Sequence, residues 1–327
     1  MKKNIAIVAG GDSSEYVVSV KSGNNVLSAI DTTIFAPWLV QIRNGEWIVL
    51  QNNIKIADVD KGNFSFPLNG ETIRFDYAYI IIHGTPGEDG ILQGYFEMLG
   101  IPYSSCGVQS SALTFNKYFC NNYLKSLGIA MANSVRVLQG ETWSADSIVA
   151  ELGLPLFVKP SAGGSSFGVT KVKKTEDLPV AIDKALNESP EVLIEQFIDG
   201  AEFTNGVVRI GNEKIVFPVT EVLPKNEFFD YEAKYIPGMA EEITPARISP
   251  ELTAKVQALS AKIYDLCNCS GIVRVDYILK GETFYFLEIN TVPGMTATSF
   301  IPQQIKAMGL SVTDILTRII NDGLKAK

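Results

Sequence analysis

The chain holds one histidine, His83, in 327 residues. Zinc centres built on two or three histidines are thereby excluded, and a Ser–His–Asp or Cys–His mechanism would have to run through that one residue. Cysteine is sparse too. Cys106, Cys120, Cys267 and Cys269 contain no C-x-x-C spacing, which suits thiols in a reducing cytoplasm, and we expect them to act as small core residues. No apolar run approaches a membrane span. The first of them, Ile5 to Ala9, ends at Gly10 and Gly11 and is too short for a signal peptide. Basic residues are outnumbered, 28 Lys and Arg against 36 Asp and Glu, for a net charge of −8. That leaves no basic field for a nucleic acid or an anionic membrane. A phosphate ligand would need local lysines.

What is present is an ordinary soluble composition, 46% apolar and 20% charged, in a chain long enough for two or three domains. The first hundred residues read as α/β. IAIVAGG (5–11) and YAYIIIHG (77–84) are buried strands, PWLVQI and GEWIVL are further strands, and Ser19 to Ile30 has a helical pattern. Gly90 to Leu99 reads as a helix stopped by Gly100. Parallel strands carry ligand residues in the loops at their C-terminal ends, here after Ala9 and after Ile82. A second unit opens with a helix from about Ser110 to Leu127 and continues through LFVKP (156–160), VTKVKK (169–174), a helix near Leu178 to Asn187 and VLIEQFI (192–198). The last third is strand-rich, with helices at Pro250–Cys267 and from Phe300 onward. Between them, Pro224 to Pro250 reads as a long functional loop.

The most informative stretch is GIVRVDYILKGETFYFLEINTVPGM (271–295). Strands alternate faces, so Arg274 and Asp276 share one side and Glu288 and Asn290 share one side. A turn of odd length around Gly281 would bring both pairs to one sheet face. Two carboxylates and an amide oxygen suit a hard cation such as Mg²⁺, with the guanidinium beside it for an anion. Ile272, Ile278, Phe284 and Phe286 are expected on the same face and would set those charges in apolar surroundings. The plainer reading is a solvent-exposed sheet face.

Four other stretches carry candidate chemistry. KPSAGGSSFGVTKV (159–172) lies between two strands with its lysine in front, so it is a hairpin flap and not a Walker loop. Gly163, Gly164 and Gly168 let N–H groups approach phosphate, and Ser165, Ser166 and Lys159 add hydroxyls and charge; a plain Gly/Ser turn is the alternative. IEQFIDGAEF (194–203) sets Glu195 and Glu202 around an extended hinge that could meet a purine, or be a solvated loop. HGTPGEDGILQG (83–94) opens a helix whose N–H groups suit an anion, with His83 either polarising a ligand or satisfied in the core. AGGDSSEYVVS (9–19) lacks G-x-G-x-x-G, and Glu15 there suits an ammonium, or simply caps a helix start. YEAKYIPG (231–238) presents Lys234 and Tyr235 on the long loop.

In this order and at these intervals, HGTPGEDGILQGYFEMLGIPYSSCGVQSSALTFNK, VKPSAGGSSFGV, IEQF, YEAKY, RVDY and LEINTVPGMT resemble the D-alanine–D-alanine ligase family of the ATP-grasp superfamily. The likeness runs from AGGDSSE to the helix after Phe300. It implies a three-domain ATP-grasp fold: an N-terminal α/β parallel-sheet substrate domain (1–104) and two α+β domains (105–195 and 196–327) that clamp ATP. By that likeness Lys117, Lys159 and Ser166 would hold ATP phosphates, Lys234 the γ-phosphate, Glu195 with Phe197 and Ile198 the adenine, and Glu202 the ribose. Asp276, Glu288 and Asn290 would carry two Mg²⁺ ions, with Mn²⁺ an alternative. Glu15 would take the first D-alanine's ammonium near His83, in a triad with Ser165 and Tyr235. Arg274 and the Gly294 N–H would form an oxyanion hole, and Ser299 with Phe300 would seat the second D-alanine's carboxylate.

The activity so implied is ATP-dependent joining of two D-alanines for peptidoglycan precursor synthesis by a cytoplasmic homodimer. It involves no nucleic acid and no membrane. Val17, Asn116, Phe300 and the pair Ala162-Gly163 depart from the family's usual residues without removing a chemical group, which bears on substrate affinity more than on reaction type. The alternatives are a ligase that uses D-lactate as second substrate, another ATP-grasp carboxylate–amine ligase, and a non-catalytic nucleotide-binding regulator. A dehydrogenase built on AGGDSSE is the most distant.

Overall fold

The computed structural model of the chain describes residues 2–225 and 239–325. β1 (Lys3–Gly10) leads into α1 (Tyr16–Ala29), and β2 (Phe35–Arg43), β3 (Glu46–Gln51) and β4 (Ile54–Asp58) follow. A small hairpin of β5 (Ser65–Leu68) and β6 (Glu71–Arg74) precedes β7 (Tyr77–Ile80). The sheet runs β4-β3-β2-β1-β7, with β1 parallel to β2 and β7. Its central place explains the unbroken apolar run: Ile5, Ala6, Ile7 and Val8 are fully buried, as a parallel strand covered on both faces requires. Gly10 ends β1 at φ +105, where a Cβ would stand 2.3 Å from the Ile42 carbonyl oxygen. Only glycine makes that turn toward Glu15.

α2 (Ile91–Leu99) starts at Gly90 and stops at left-handed Gly100, matching the expected helix. The single helix expected over Ser110 to Leu127 is instead two, α3 (Val108–Phe115) and α4 (Lys117–Ser126). Asn116 between them is extended; its Oδ1 accepts from the Phe119 N–H at 3.0 Å and its backbone bridges to Ala162. An asparagine N-cap thus starts a new helix and sets Lys117 on its first turn.

β8 (Ser134–Leu138), α5 (Ala145–Leu152), β9 (Leu156–Pro160), β10 (Thr170–Val172), α6 (Leu178–Leu186) and β11 (Glu191–Gln196) build a second, antiparallel sheet of order β10-β9-β11-β8. The Gly/Ser stretch joins β9 to its antiparallel neighbour β10, so it is a hairpin flap as expected. Ile148 and Ile182 from the helices pack with Val158 and Val192 beneath it.

β12 (Ala201–Ile210), β13 (Glu213–Pro224), β14 (Ala240–Ile243), α7 (Pro250–Leu266), β15 (Ile272–Lys280) and β16 (Thr283–Asn290) supply a third sheet, β14-β13-β12-β15-β16, antiparallel throughout. β14 falls inside the segment expected to be loop, because its backbone pairs with β13. Lys234 and Tyr235 lie outside the described residues. α8 (Phe300–Ala307) and α9 (Val312–Lys325) close the chain. Ile315, Leu316 and Ile320 of α9 share a core with β1 and β7, so the end of the chain packs on its beginning. The four cysteines are buried and unpaired, packed in the core under the third sheet. Among the described residues no helix is long and apolar enough to cross a membrane.

Candidate active site

In the β15–β16 hairpin, Arg274 stands opposite Asn290 and Asp276 opposite Glu288. All four share one face, as the alternation predicts, but by a different device. The connection between Lys280 and Thr283 has only two residues, Gly281 and Glu282, and Tyr277 pairs with Phe286. A bulge at Leu287 then shifts the register by one and delivers Glu288 to Asp276. The same pairing corrects the expected neighbours. Phe284 and Phe286 sit opposite Leu279 and Tyr277, in the core on the far side, while Ile278 and Tyr285 pair on the charged side and line a cleft there.

The charges on this face are closely matched. Arg274 grips Asp276 with both Nε–H to Oδ1 (2.9 Å) and Nη2–H to Oδ2 (2.8 Å). Thr204 and Asn290 each donate to the same carboxylate, at 2.6 and 3.1 Å. Lys117 donates to the Gly163 carbonyl at 2.7 Å and lies 3.7 Å from Glu288. Deeper in, Lys159 and Glu195 pair at 2.7 Å with 8% of each side chain exposed, and Asn121 donates to the second Glu195 oxygen. Charges this buried persist because each has a partner.

Among the described residues no cluster of three or more His, Cys, Asp and Glu is set to hold a metal ion. The trio Asp276, Glu288 and Asn290 offers two carboxylates and one amide. That donor set suits a hard cation that keeps waters and phosphate oxygens as its other ligands.

Two cavities meet at the hairpin. The larger, about 490 Å³, is lined by Lys159, Ser166, Glu195, Phe197, Ile198, Glu202 and Asp276 among others. The smaller, about 280 Å³, is lined by Glu15, His83, Ser165, Asn290, Gly294 and Ser299. Lys117, Arg274, Glu288 and Phe300 border both. Every candidate residue within the described part of the chain therefore comes to one of two joined spaces.

The smaller cavity is built from chain segments far apart in sequence. Glu15 opens α1 and accepts from the Ser165 hydroxyl of the flap. A Cβ on Gly164 would stand 2.2 Å from Glu15 Oε2, so the flap reaches this carboxylate only through glycine. Ser165 and Ser166 hold φ of +49 and +60, conformations that cost roughly 1–3 kcal/mol each and persist where contacts hold them. His83 Nδ1 lies 2.8 Å from the Val292 carbonyl oxygen, so that nitrogen carries the proton and Nε2 faces the Ser22 hydroxyl at 3.5 Å. Burial pulls this imidazole below its usual range, against the attraction of Glu15. Ser299 precedes α8 at the N-cap position without a side-chain capping bond, its hydroxyl accepting instead from the Thr296 N–H, while Arg274 lies over the Phe300 ring at 5.5 Å.

Sequence reasoning missed Glu88. It lies in the GEDG loop, whose glycines point to N–H groups, and an acid five residues after His83 is the one local signal. Burial, followed by the Glu15 charge, pushes Glu88 up to about 8, while N–H bonds from Gly84 and Val292 pull the other way. Thr204 and Asn121 were missed as well, and no local pattern marks them. Of the departures, Val17 is exposed. Asn116 is explained by Glu191, to which its amide donates at 2.6 Å; an aspartate there would face a like charge.

Sequence profiles of the D-ala D-ala ligase N-terminus and C-terminus match residues 4–106 and 123–321. The D-alanine--D-alanine ligase of Parabacteroides distasonis is 55% identical over 327 residues, 99% of this chain and 98% of its own. That of Bacteroides fragilis is 52% identical over 323 residues, 98% and 99% of the two chains. Among solved structures, the VanG D-Ala:D-Ser ligase from Enterococcus faecalis superposes with a TM-score of 0.85 at 32% identity, covering 99% of this chain and 100% of that one. The D-alanyl-alanine synthetase A of Vibrio cholerae gives 0.88 at 26% identity, covering 99% of each chain. Both domain profiles and near full-length relatives agree with the geometry of the joined cavities, and the chain belongs to the D-alanine–D-alanine ligase family of ATP-grasp enzymes.

Proposed function

We propose that this chain joins two D-alanines with ATP, through an acyl phosphate, to supply D-alanyl-D-alanine for peptidoglycan precursors. One observation carries the reading: a largely apolar cavity that carries lysines and the hinge at 195–198 opens, at Lys117, Arg274 and Glu288, into a second cavity lined by carboxylates. A phosphoryl group and an amino-acid carboxylate can meet at that border.

The chain's own residues divide the work. Glu15 holds the first D-alanine's ammonium beside neutral His83, which directs its carboxylate toward the border. There the carboxylate attacks the γ-phosphate and ADP departs, with Lys117, Lys159 and Lys234 neutralising the phosphate charge. Glu195, Phe197 and Ile198 hold the adenine, Glu202 the ribose, and Ser166 a phosphate. The second D-alanine attacks as free amine, and Arg274 with the Gly294 N–H stabilises the tetrahedral oxyanion. Asp276 keeps the guanidinium plane fixed. Flap contact through Ser165, with Tyr235 completing the triad, keeps water from the acyl phosphate.

Asp276, Glu288 and Asn290 would hold two Mg²⁺ ions, or Mn²⁺, whose contribution is charge neutralisation at the phosphates. The three-domain division at 104/105 and 195/196 is supported by the three larger sheets, with the second boundary one residue before the end of β11. A cytoplasmic location is supported by four unpaired thiols. A homodimer is supported by Ile91 and Met98, exposed seven residues apart on α2.

The test is coupled ADP release from purified protein with ATP, Mg²⁺ and D-alanine, and the product identified by mass. Parallel runs with D-serine and D-lactate as acceptor fix the second substrate. No ADP release with D-alanine would refute the reading.

A further inference from the structure

The smaller cavity holds an acid that no step above uses. Glu242 lies on β14, opposite Val222, and lines the cavity with Arg274, Thr298, Ser299 and Phe300. Gln303 of α8 donates to its Oε2 at 2.5 Å. Among the four carboxylates in this wall, Glu88 accepts backbone N–H bonds on both oxygens and Glu288 lies beside Lys117. The remaining two have neither a lysine beside them nor N–H bonds on both oxygens: Glu15 keeps Oε2 on the side of the first sheet and Glu242 keeps Oε1 on the side of the third, and neither atom accepts a hydrogen bond among the described residues. A reaction that joins two zwitterions needs two ammonium receptors, and these two acids can serve. Beside Glu242, Ser299 and the uncapped start of α8 offer a hydroxyl and a positive helix end for the partner carboxylate. The pair of features matches an amino acid bound by both its charges.

We propose that Glu242 binds the amino group of the second amino acid and takes its proton, so that the free amine attacks. This rests on the ligase reading above. The ammonium gives one proton to the Glu242 carboxylate, and the nitrogen lone pair forms the N–C bond to the acyl carbon. The C–O bond to phosphate breaks with its electron pair on the departing phosphate, and the surplus proton on nitrogen leaves with it. Burial raises Glu242 above the usual carboxylate range, against the pulls of Gln303 and Arg274, which brings it nearer the basicity of the amine it serves. Among the described residues the charged groups that line the cavity with Glu242 are Arg274 and Glu288 on the third sheet, Lys117 on α4, Glu15 and Lys21 at α1, and Glu88; Glu202 lies two strands away on the same face. Glu221 on β13 faces the other side, paired with Arg247.

The test compares the full-length wild type with Glu242→Gln and Glu242→Asp, using ATP, Mg²⁺ and D-alanine with and without hydroxylamine. Hydroxylamine is a small amine largely unprotonated at neutral pH, so it traps the acyl phosphate as a hydroxamate without help from a base. We expect Glu242→Gln to raise the second D-alanine's KM at least tenfold and to displace the acid limb of the kcat profile to higher pH. Hydroxamate formation should stay within twofold, and Glu242→Asp should recover part of the dipeptide activity. Glutamine still accepts the Gln303 bond, so the wall is preserved. Equal dipeptide formation by wild type and Glu242→Gln, or loss of dipeptide and hydroxamate together, overturns the assignment. A wild type that makes neither product overturns the ligase reading itself.

Discussion

The two cavities handle charge in opposite ways. In the larger, charges come as matched pairs: Lys159 with Glu195, Arg274 with Asp276, Lys117 near Glu288. In the smaller, the acids Glu15, Glu88 and Glu242 are met by a hydroxyl, backbone N–H groups and an amide, all neutral donors. Burial tells in the smaller cavity. There, with no cation among the described residues bonded to them, Glu88 and Glu242 are pushed upward. The first arrangement suits a polyanion that exchanges one partner for another. The second leaves Glu15 and Glu242, held by neutral donors, to meet ligands that bring their own positive charge.

Breaking the border between the cavities should have the largest effect. Arg274→Ala is expected to lower dipeptide turnover by about 10²–10³-fold or more, the scale of a lost oxyanion donor. Nucleotide affinity by calorimetry should remain within a few-fold of wild type. A loss of ATP binding as large as the loss of turnover would place Arg274 in the nucleotide site instead. Next come the hairpin acids: Asp276→Ala and Glu288→Ala should each raise the Mg²⁺ concentration for half-maximal turnover by roughly tenfold. An unchanged metal titration in both would remove the metal from this face.

The matched-pair character is tested by stability. Lys159→Met or Glu195→Leu alone leaves a buried charge and should cost about 3–5 kcal/mol in urea denaturation. The double variant should cost markedly less, and additive losses would mean that the two do not depend on each other. The most gradual effect, spread over several pH units, belongs to Glu88 of the smaller cavity. Glu88 binds its proton more tightly folded than unfolded, so folding stability should fall as pH rises from about 4.5 through about 8. The slope is bounded by about 1.4 kcal/mol per pH unit for one group. Glu88→Gln should flatten denaturation midpoints measured from pH 5 to 9; a parallel curve would show that Glu88 does not titrate there.

Much of this was legible in the chain itself. The buried run Ile5–Ala9, the Gly90 and Gly100 boundaries of α2 and the flap from Lys159 all follow from local patterning, because burial on two faces, left-handed turns and phosphate approach each demand particular residue types. The charged face of the hairpin was legible for the same reason, since alternation sets the side to which Arg274, Asp276, Glu288 and Asn290 point. The break at Asn116 was not. Its helix-ending power depends on Ala162 and Glu191, which are distant in sequence.

Sequence by itself determined which side chains carry chemistry and which strand faces present them, since both depend on residue type and a period of two. Tertiary structure alone decided the bulge at Leu287, the strand at Ala240–Ile243, the return of α9 to the first sheet and the meeting of Glu15 and Glu242 at one cavity. Each of those depends on which backbone groups find partners across long loops. Pairing of that kind is a property of the closed fold, because a hydrogen bond or an unanswered carboxylate exists only once the distant segment has arrived.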